Sequence, residues 1–408
     1  MRIYKRVLEN GLRVVIAPRK SLESVAIIIG VNFGSMDDGA RMNGLTHFIE
    51  HMLFKGTIKR DWAKINEITR NYNIYYNAET DYETTLYEAV VYKRYLDRAM
   101  DLISDMVINP IFDKRELEKE RGPILHEIAI RREDPDSILY DNMPRTLFVG
   151  DAALAPPNGT ALSGRIKRRD LVNAYSKYYN PKNMVLVIYG GVSKDDALAL
   201  AEKYMSKFKR KYYRPERHEL KRRGRTGRNY IRKKDIERGE IGIGIACKGL
   251  ASGSVDEYVS MEAVAELLNN RVYDNVREEH GLSYDPGVDY ESYGTFSYIM
   301  ASAGAAPAKL GKIRSIILSE MHKISKNGVS TAELEKVKKG LEIRYSMGLD
   351  RPLDSATDIA EMELMYGNCR IFERIPKAIK NLEVRSINKL IRSNIDVSKY
   401  GEVILERR

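Results

Sequence analysis

The sequence predicts an α+β protein built from two related domains. In the first half, a dense β-branched run at 25–33 predicts a buried strand, and an apolar stretch at about 43–54 predicts a helix after it. The second half repeats this order, with an apolar strand at 240–246 and a helix at 256–276. A repeated order of elements indicates duplication, and 408 residues suit two domains of about 200 residues each.

The other elements are predicted from periodicity and turn residues. Residues 2–18 predict a hairpin with its turn at 9–11, and residues 74–91 predict two strands. A long helix is expected to open near Asp113, whereas residues 134–165, with several prolines and glycines, predict short helices and loops. The second half is expected to add one strand and two helices, at 294–303, 307–326 and 331–348.

The charge distribution indicates where the two domains are joined. The chain has a formal net charge of +11, and residues 209–238 hold 14 Lys or Arg against 4 Asp or Glu, a local excess of +10. We expect a first domain at 1–208, a basic linker at 209–238 and a second domain at 239–408. The linker has no aromatic platform or named nucleic-acid motif, so the sequence does not favour nucleic acid as a partner.

One part of the first predicted helix carries ionisable side chains among apolar ones. His47 and His51 are four residues apart and share a face, and Glu50 reaches the rim of the same point. Two imidazoles on one turn suit Zn²⁺, and a carboxylate that is not a ligand suits a general base acting on zinc-bound water. The alternative is a core helix with two hydrogen-bonded histidines, but burying three ionisable groups is costly without a metal or partners. The order His-x-x-Glu-His is that of the inverted zinc motif.

A third zinc ligand is expected elsewhere in the chain, because catalytic zinc usually has three protein ligands and one open position. The best candidate stretch is 117–133, where Glu120 and Glu127 lie two helical turns apart and share a face. With these residues, the sequence resembles the pitrilysin family of metallopeptidases, which includes insulin-degrading enzymes and mitochondrial processing peptidases. In that family, a glutamate 76 residues after the second histidine is the third ligand, and this position is Glu127.

The resemblance also implies roles for residues outside the zinc ligands. It counts Glu120 with the catalytic residues, as an acidic support of the metal site. It implies that Asn77 and Ala78 belong to a strand that binds substrate. It further implies that Arg277 and Tyr284, at the family's seven-residue spacing, face the zinc and hold substrate.

The resemblance covers most of the chain and implies an activity and an architecture. The expected protein is a zinc-dependent endopeptidase that acts on peptides or unfolded segments, with one Zn²⁺ per chain and Glu50 activating the water. In the family, each half packs helices on one face of an antiparallel-rich sheet, and the halves enclose a chamber. Short relatives commonly pair, so a homodimer is expected.

The sequence also bears on compartment. It has two cysteines, too few for a disulfide framework, and no apolar run near the roughly 18 residues needed to span a membrane. The first residues lack the apolar region of a signal peptide, so we expect a cytoplasmic protein with no membrane partner.

Two other functions stay open at this point. Some relatives in the resembled family have lost the metal and serve as structural partners, so one alternative is a non-catalytic scaffold or assembly subunit. The other alternative is a nucleic-acid binder working through the basic residues 209–238.

Overall fold

The computed structural model describes residues 1–150, 154–217, 219–233, 236, 238–247 and 254–407. The chain divides into two compact units, and each unit takes segments from both halves of the sequence. The first unit comprises Met1–Ile128, Ala152–Glu216 and Ser346–Glu373. The second unit comprises Ala129–Asp151, Arg217–Tyr345 and Arg374–Arg408.

The main regular elements of the described residues are two mixed sheets and thirteen α-helices. The strands are β1 (Tyr4–Val7), β2 (Arg13–Pro18), β3 (Ser24–Val31), β4 (Tyr75–Thr80), β5 (Thr85–Tyr92), β6 (Met184–Gly190), β7 (Gly227–Lys233), β8 (Gly239–Cys247), β9 (Gly287–Ser292), β10 (Ser297–Ala305) and β11 (Gly401–Arg407). The helices are α1 (Leu45–Leu53), α2 (Trp62–Tyr72), α3 (Leu96–Ile108), α4 (Lys114–Glu133), α5 (Pro135–Leu147), α6 (Arg168–Tyr178), α7 (Lys194–Met205), α8 (Val255–Tyr273), α9 (Pro307–Asn327), α10 (Thr331–Gly348), α11 (Pro352–Tyr366), α12 (Arg370–Lys380) and α13 (Val384–Asn394). None of these helices is long and apolar enough to cross a membrane.

The two sheets share one topology, which confirms the predicted α+β duplication. The first sheet has the order β1-β2-β6-β3-β5-β4, and the second has the order β7-β11-β8-β10-β9. Each contains one parallel pair, β2 with β6 and β7 with β11, and these pairs hold the same place in the order. All other neighbours are antiparallel. The first sheet differs by its extra strand β1, which forms the predicted hairpin with β2.

Helices cover both faces of the first sheet, so the expectation of helices on one face only is wrong. Ile27 and Ile29 of β3 face the core that includes residues of α1 and α3. On the opposite face, α11 packs against β3 and β6. A Cβ added to Gly30 of β3 would meet the Leu364 side chain of α11 at 2.7 Å. The central strands are buried on both sides, which explains why β3 is a continuous apolar run instead of an alternating one.

The second sheet repeats this arrangement with a helix from the first half of the chain. Ile241, Ile243 and Ile245 of β8 face the core of the second unit. Between them, glycines 242 and 244 allow α5 to approach closely, since a Cβ at either position would crowd Met143. Because α5 follows α4 and α11 follows α10, the two units exchange equivalent helices. This exchange explains why no unit is one continuous stretch of chain.

Two sequence predictions about irregular structure are corrected by these elements. Residues 134–165 contain α5, a helix of 13 residues, where short helices and loops were expected. The predicted linker 209–238 contains β7, which pairs in parallel with β11. In β7 the exposed positions are basic or aromatic, and only alternate residues are half-buried. The strand was not predicted because its sequence is rich in charged residues and its partner, β11, is far away in the chain.

Candidate metal centre

The helix that carries the histidines begins at an unusual N-terminus. Gly44 has a left-handed backbone (φ 93°) and supplies no side-chain cap to α1. The buried carboxylate of Asp38 takes that role, accepting hydrogen bonds from the backbone N–H groups of Gly44 at 2.7 Å and Thr46 at 2.9 Å. Burial raises the pKa of Asp38 to about 7, against the lowering effect of these hydrogen bonds. Sequence reasoning missed Asp38, because a cap seven residues before the first helical residue matches no local capping pattern.

The two histidines and Glu127 bring three ligand atoms together. The Nε2 atoms of His47 and His51 are 3.1 Å apart, and each lies 3.4 Å from an oxygen of Glu127. A tetrahedral zinc with bonds of about 2.0–2.1 Å separates its ligand atoms by about 3.3–3.4 Å. Two imidazoles and one carboxylate are also a donor set typical of catalytic zinc. Both the spacing and the chemistry of these residues fit Zn²⁺, and they form the one such group found among the described residues.

Glu120 supports His51 from the side away from Glu127. Both glutamates project from α4, as their spacing predicts. Oε1 of Glu120 lies 2.9 Å from Nδ1 of His51, and Oε2 lies 2.6 Å from the Lys55 ammonium. Contact with Nδ1 holds the imidazole so that Nε2 faces His47, which is the usual work of a carboxylate behind a metal-binding histidine. Sequence reasoning did not identify Lys55.

The electrostatics of the cluster favour a positive charge between the ligands. Burial acts to lower the pKa of His51, but the carboxylates of Glu120 and Glu127 outweigh burial and raise it to about 9. The imidazoles of His47 and His51 lower the pKa of Glu127 far below its usual range. A site that stabilises a proton on histidine in this way also suits a divalent cation in its place.

Glu50 lies beside the ligands and is held by a different partner. Its side chain is buried, and the hydroxyl of Thr80 on β4 donates to Oε2 at 2.7 Å. Glu50 is not one of the three residues whose ligand atoms converge. A fixed carboxylate next to a metal site, without being a ligand, is placed to transfer protons. Thr80 was not among the predicted site residues, because only the packing of β4 against α1 brings it there.

Comparison with known proteins identifies the family. Residues 13–156 match the model "Insulinase (Peptidase family M16)", and residues 165–341 match "Peptidase M16 inactive domain". The chain belongs to the M16 peptidase family. It is 26% identical over 399 residues to "Uncharacterized zinc protease YmxG" of Bacillus subtilis, covering 96% of this chain and 95% of that protein.

Solved structures of other proteins share the M16 fold along the whole chain. A protease from Helicobacter pylori aligns with a TM-score of 0.91 at 19% identity, covering 99% of both chains. A chain in the structure of complex III2 from Candida albicans aligns with a TM-score of 0.87 at 17% identity, covering 99% of this chain and 96% of that one. At these identities the likeness concerns the fold alone.

The strand that resembles the substrate-binding strand of M16 peptidases lies at an edge of the first sheet. β4 is last in the strand order and pairs with β5 on one side. Asn77 is exposed and Ala78 is half-buried, and Thr80, the residue that contacts Glu50, ends the same strand. The structure therefore joins Asn77 and Ala78 to the metal centre through a single strand.

Arg277 and Tyr284 are brought together in the second unit. Arg277 lies in a π-helical turn, Asp274–Glu279, that continues α8. Its Nη1 donates to the carbonyl oxygen of Tyr284 at 2.6 Å, and its guanidinium lies 4.3 Å from the centre of the Tyr284 ring. Tyr284 is 79% exposed. The two residues form one contact pair, and their role towards substrate stays a prediction.

Proposed function

We propose that this M16 protein is a zinc-dependent endopeptidase that hydrolyses peptides or unfolded protein segments. His47, His51 and Glu127 would hold one Zn²⁺ per chain, and Glu50 would act as the general base. The observation that carries the proposal is the convergence of three ligand atoms, separated by 3.1–3.4 Å, beside a buried carboxylate that is not a ligand. A core helix with two paired histidines would have no need of Glu127 at this spacing.

The residues of the chain divide the chemistry between them. When bound, Zn²⁺ supplies a Lewis acid for the scissile carbonyl and a water whose pKa is near 7. Glu50 takes a proton from the attacking water and delivers it to the leaving amine. Thr80 binds Oε2 of Glu50, so we expect Oε1 to carry the proton. Glu120 keeps the imidazole of His51 oriented throughout.

The position of β4 supports the substrate class. An edge strand can accept an extended peptide as an additional strand, through main-chain hydrogen bonds that are insensitive to sequence. Such pairing requires a segment without secondary structure of its own, which favours peptides and unfolded segments over folded proteins. The contribution of Arg277 and Tyr284 to binding rests on the family resemblance.

Substitution of the base tests the proposal most directly. Purified protein should hold about one Zn²⁺ per chain and cleave an unstructured peptide in a chelator-sensitive way. Glu50→Gln should retain the zinc and the fold but lose cleavage by a factor of about 10²–10⁴. The measurements are metal content, melting temperature and peptide digestion followed by mass spectrometry. Zinc loss in Glu50→Gln, with activity restored by added zinc, would show that Glu50 is a ligand instead.

A second candidate function is a non-catalytic subunit of the same fold. The observation that favours it is that residues 165–341 match a model described as an inactive domain. If the zinc-loaded wild-type protein cleaved no peptide, this result would support the non-catalytic subunit over the peptidase. The homodimer and the cytoplasmic location stay predictions from the sequence.

A further inference from the structure

The third ligand is the most exposed member of the metal centre. The side chain of Glu127 is 43% exposed, whereas those of His47 and His51 are 4% and 18% exposed. A long exposed glutamate samples several rotamers, and the site needs only the one that faces both histidines. The carboxylate therefore requires a partner outside the ligand set to stay in place.

Asn158 provides such a partner. Its Nδ2 donates to Oε1 of Glu127 at 2.6 Å, and this oxygen is also the one that lies 3.4 Å from Nε2 of His47. The contact joins residues 31 positions apart, so the α4 helix does not provide it. A hydrogen bond from a neutral amide to an ionised carboxylate is charge-assisted and leaves the negative charge of Glu127 intact.

The segment that carries Asn158 is attached to the helix of the histidines. Gly159 and Gly44 approach so closely that a Cβ on Gly159 would lie 2.6 Å from the Gly44 Cα. The Ser163 hydroxyl donates to the carbonyl oxygen of Asn43 at 3.1 Å, just before α1. The start of α1 and the Asn158 segment therefore hold a defined relative position.

The same segment is also attached to the helix of Glu127. The Arg121 guanidinium, on α4, donates to the carbonyl oxygens of Gly164 at 2.9 Å and Ile166 at 3.1 Å. Asn158 thus stands on a segment anchored to both ligand-bearing helices. A donor fixed in this way can orient the Glu127 side chain before any metal arrives.

We propose that Asn158 is a positioning residue of the metal centre, which holds the Glu127 carboxylate towards His47 and His51 and thereby strengthens zinc binding. The inference rests on the proposed function, because it assumes that these three residues bind zinc. Partners behind metal ligands typically contribute 10-fold to 100-fold to metal affinity. The neutral amide suits this position, since a carboxylate there would repel Glu127.

Two variants of Asn158 separate orientation from packing. Asn158→Ala removes the donor, and Asn158→Asp keeps the shape of the side chain while placing a second negative charge beside Glu127. Asn109→Ala is a matched control, because Nδ2 of Asn109 donates to Oδ1 of Asp105 at 2.8 Å, away from the histidines. Zinc dissociation constants are measured for the full chain by competition with a chromophoric chelator, and melting temperatures are measured on the zinc-free proteins.

We expect Asn158→Ala to bind zinc about 10-fold to 100-fold more weakly than wild type. Asn158→Asp should bind more weakly still, although it fills the same space, and Asn109→Ala should bind as wild type does. Melting temperatures of the zinc-free Asn158 variants should match that of wild type. Wild-type affinity in either Asn158 variant would overturn the inference, as would recovery of affinity in Asn158→Asp relative to Asn158→Ala. A wild-type chain that bound no zinc would instead refute the proposed function.

Discussion

Helices α1 and α8 occupy the same place in the two copies of the fold, and they use it differently. Each follows the central strand of its sheet, β3 or β8, and packs against the core of its unit. In α1 the buried residues include His47 and Glu50, whereas the buried residues of α8 are all apolar. Helix α8 also starts at an ordinary cap, in which the Ser254 hydroxyl accepts a hydrogen bond from the Glu257 N–H.

This difference separates the demands of folding from those of function. An apolar helix with a local cap satisfies the packing of the duplicated unit, as α8 shows. Helix α1 instead buries ionisable groups, which is unfavourable unless partners compensate. Those partners are Thr80 for Glu50 and Glu120 for His51, while Asp38 caps the backbone at the helix N-terminus. The buried residues described in α8 need no such partners, because they are all apolar.

The largest effect is expected from removing the two histidines of α1. The double variant His47→Ala/His51→Ala loses two of three ligands, so zinc should be absent after dialysis and peptide cleavage should be undetectable. Metal analysis and peptide digestion measure both outcomes. Full zinc occupancy in this variant would contradict the assignment of the site to α1.

A core substitution in α8 should affect stability without affecting the metal. Leu268 is fully buried in the second unit, and Leu268→Ala removes apolar contacts and leaves a cavity. We expect a loss of about 2–5 kcal/mol in the free energy of unfolding. Zinc per folded chain, measured on the folded fraction after size-exclusion chromatography, should stay at the wild-type value. A lower zinc content in that fraction would mean that α8 affects the metal centre and does not serve packing alone.

The two sheets also differ in their buried acidic residues, whose effect on stability depends on pH. In the first sheet, burial raises the pKa of Glu88 to about 7, and the carboxylates of Glu79 and Glu50 add to the shift. Because the pKa of Glu88 is higher in the folded chain than its usual value of 4.5, Glu88 contributes to stability at pH values below 4.5. This contribution is lost as the pH rises to about 7, where the buried carboxylate becomes charged. Glu88→Gln should therefore be more stable than wild type above pH 7, by about 1–2 kcal/mol, but not near pH 4.

The matched control for Glu88 lies in the second sheet. Glu402 is fully buried but forms ion pairs with Arg314 and Arg228. Glu402→Gln breaks these pairs and should destabilise the protein across the same pH range. Urea unfolding in the presence of chelator, at pH 5, 6, 7 and 8, compares both variants. If both substitutions changed the free energy of unfolding equally at each pH, the proposed difference between the buried acids of the two sheets would be wrong.

The smallest effect is expected at Arg277 and Tyr284, the residues of the second unit that the family resemblance links to substrate. Helix α8 ends in a π-helical turn that positions Arg277, and such turns are frequent at functional sites. If Arg277 and Tyr284 hold substrate, Arg277→Ala and Tyr284→Phe should lower kcat/KM by about 10-fold. Zinc content and melting temperature should not change. Full activity in both variants would confine the functional residues to the first unit.

Much of the site could be predicted from local spacing. His47, Glu50 and His51 share one turn of helix, and Glu120 and Glu127 share one face of another, so helical geometry alone brings each set together. Helical geometry could not show that these two sets lie together in the fold, because they are far apart in the sequence. The family resemblance supplied the pairing, and the ligand spacing in the structure agrees with it.

The sequence by itself determined several of the elements and the candidate ligand types, because periodicity, turns and side-chain chemistry act over a few residues. The hairpin at β1–β2, the helix α1 and the duplicated order of strands all follow from such local signals. The tertiary structure alone decided that α5 and α11 exchange units and that β7 joins β11. It also decided which groups hold Glu50 and Glu127 in place, Thr80 and Asn158. These contacts join distant segments, and their choice depends on which buried surfaces and unpaired polar groups the whole fold brings into contact.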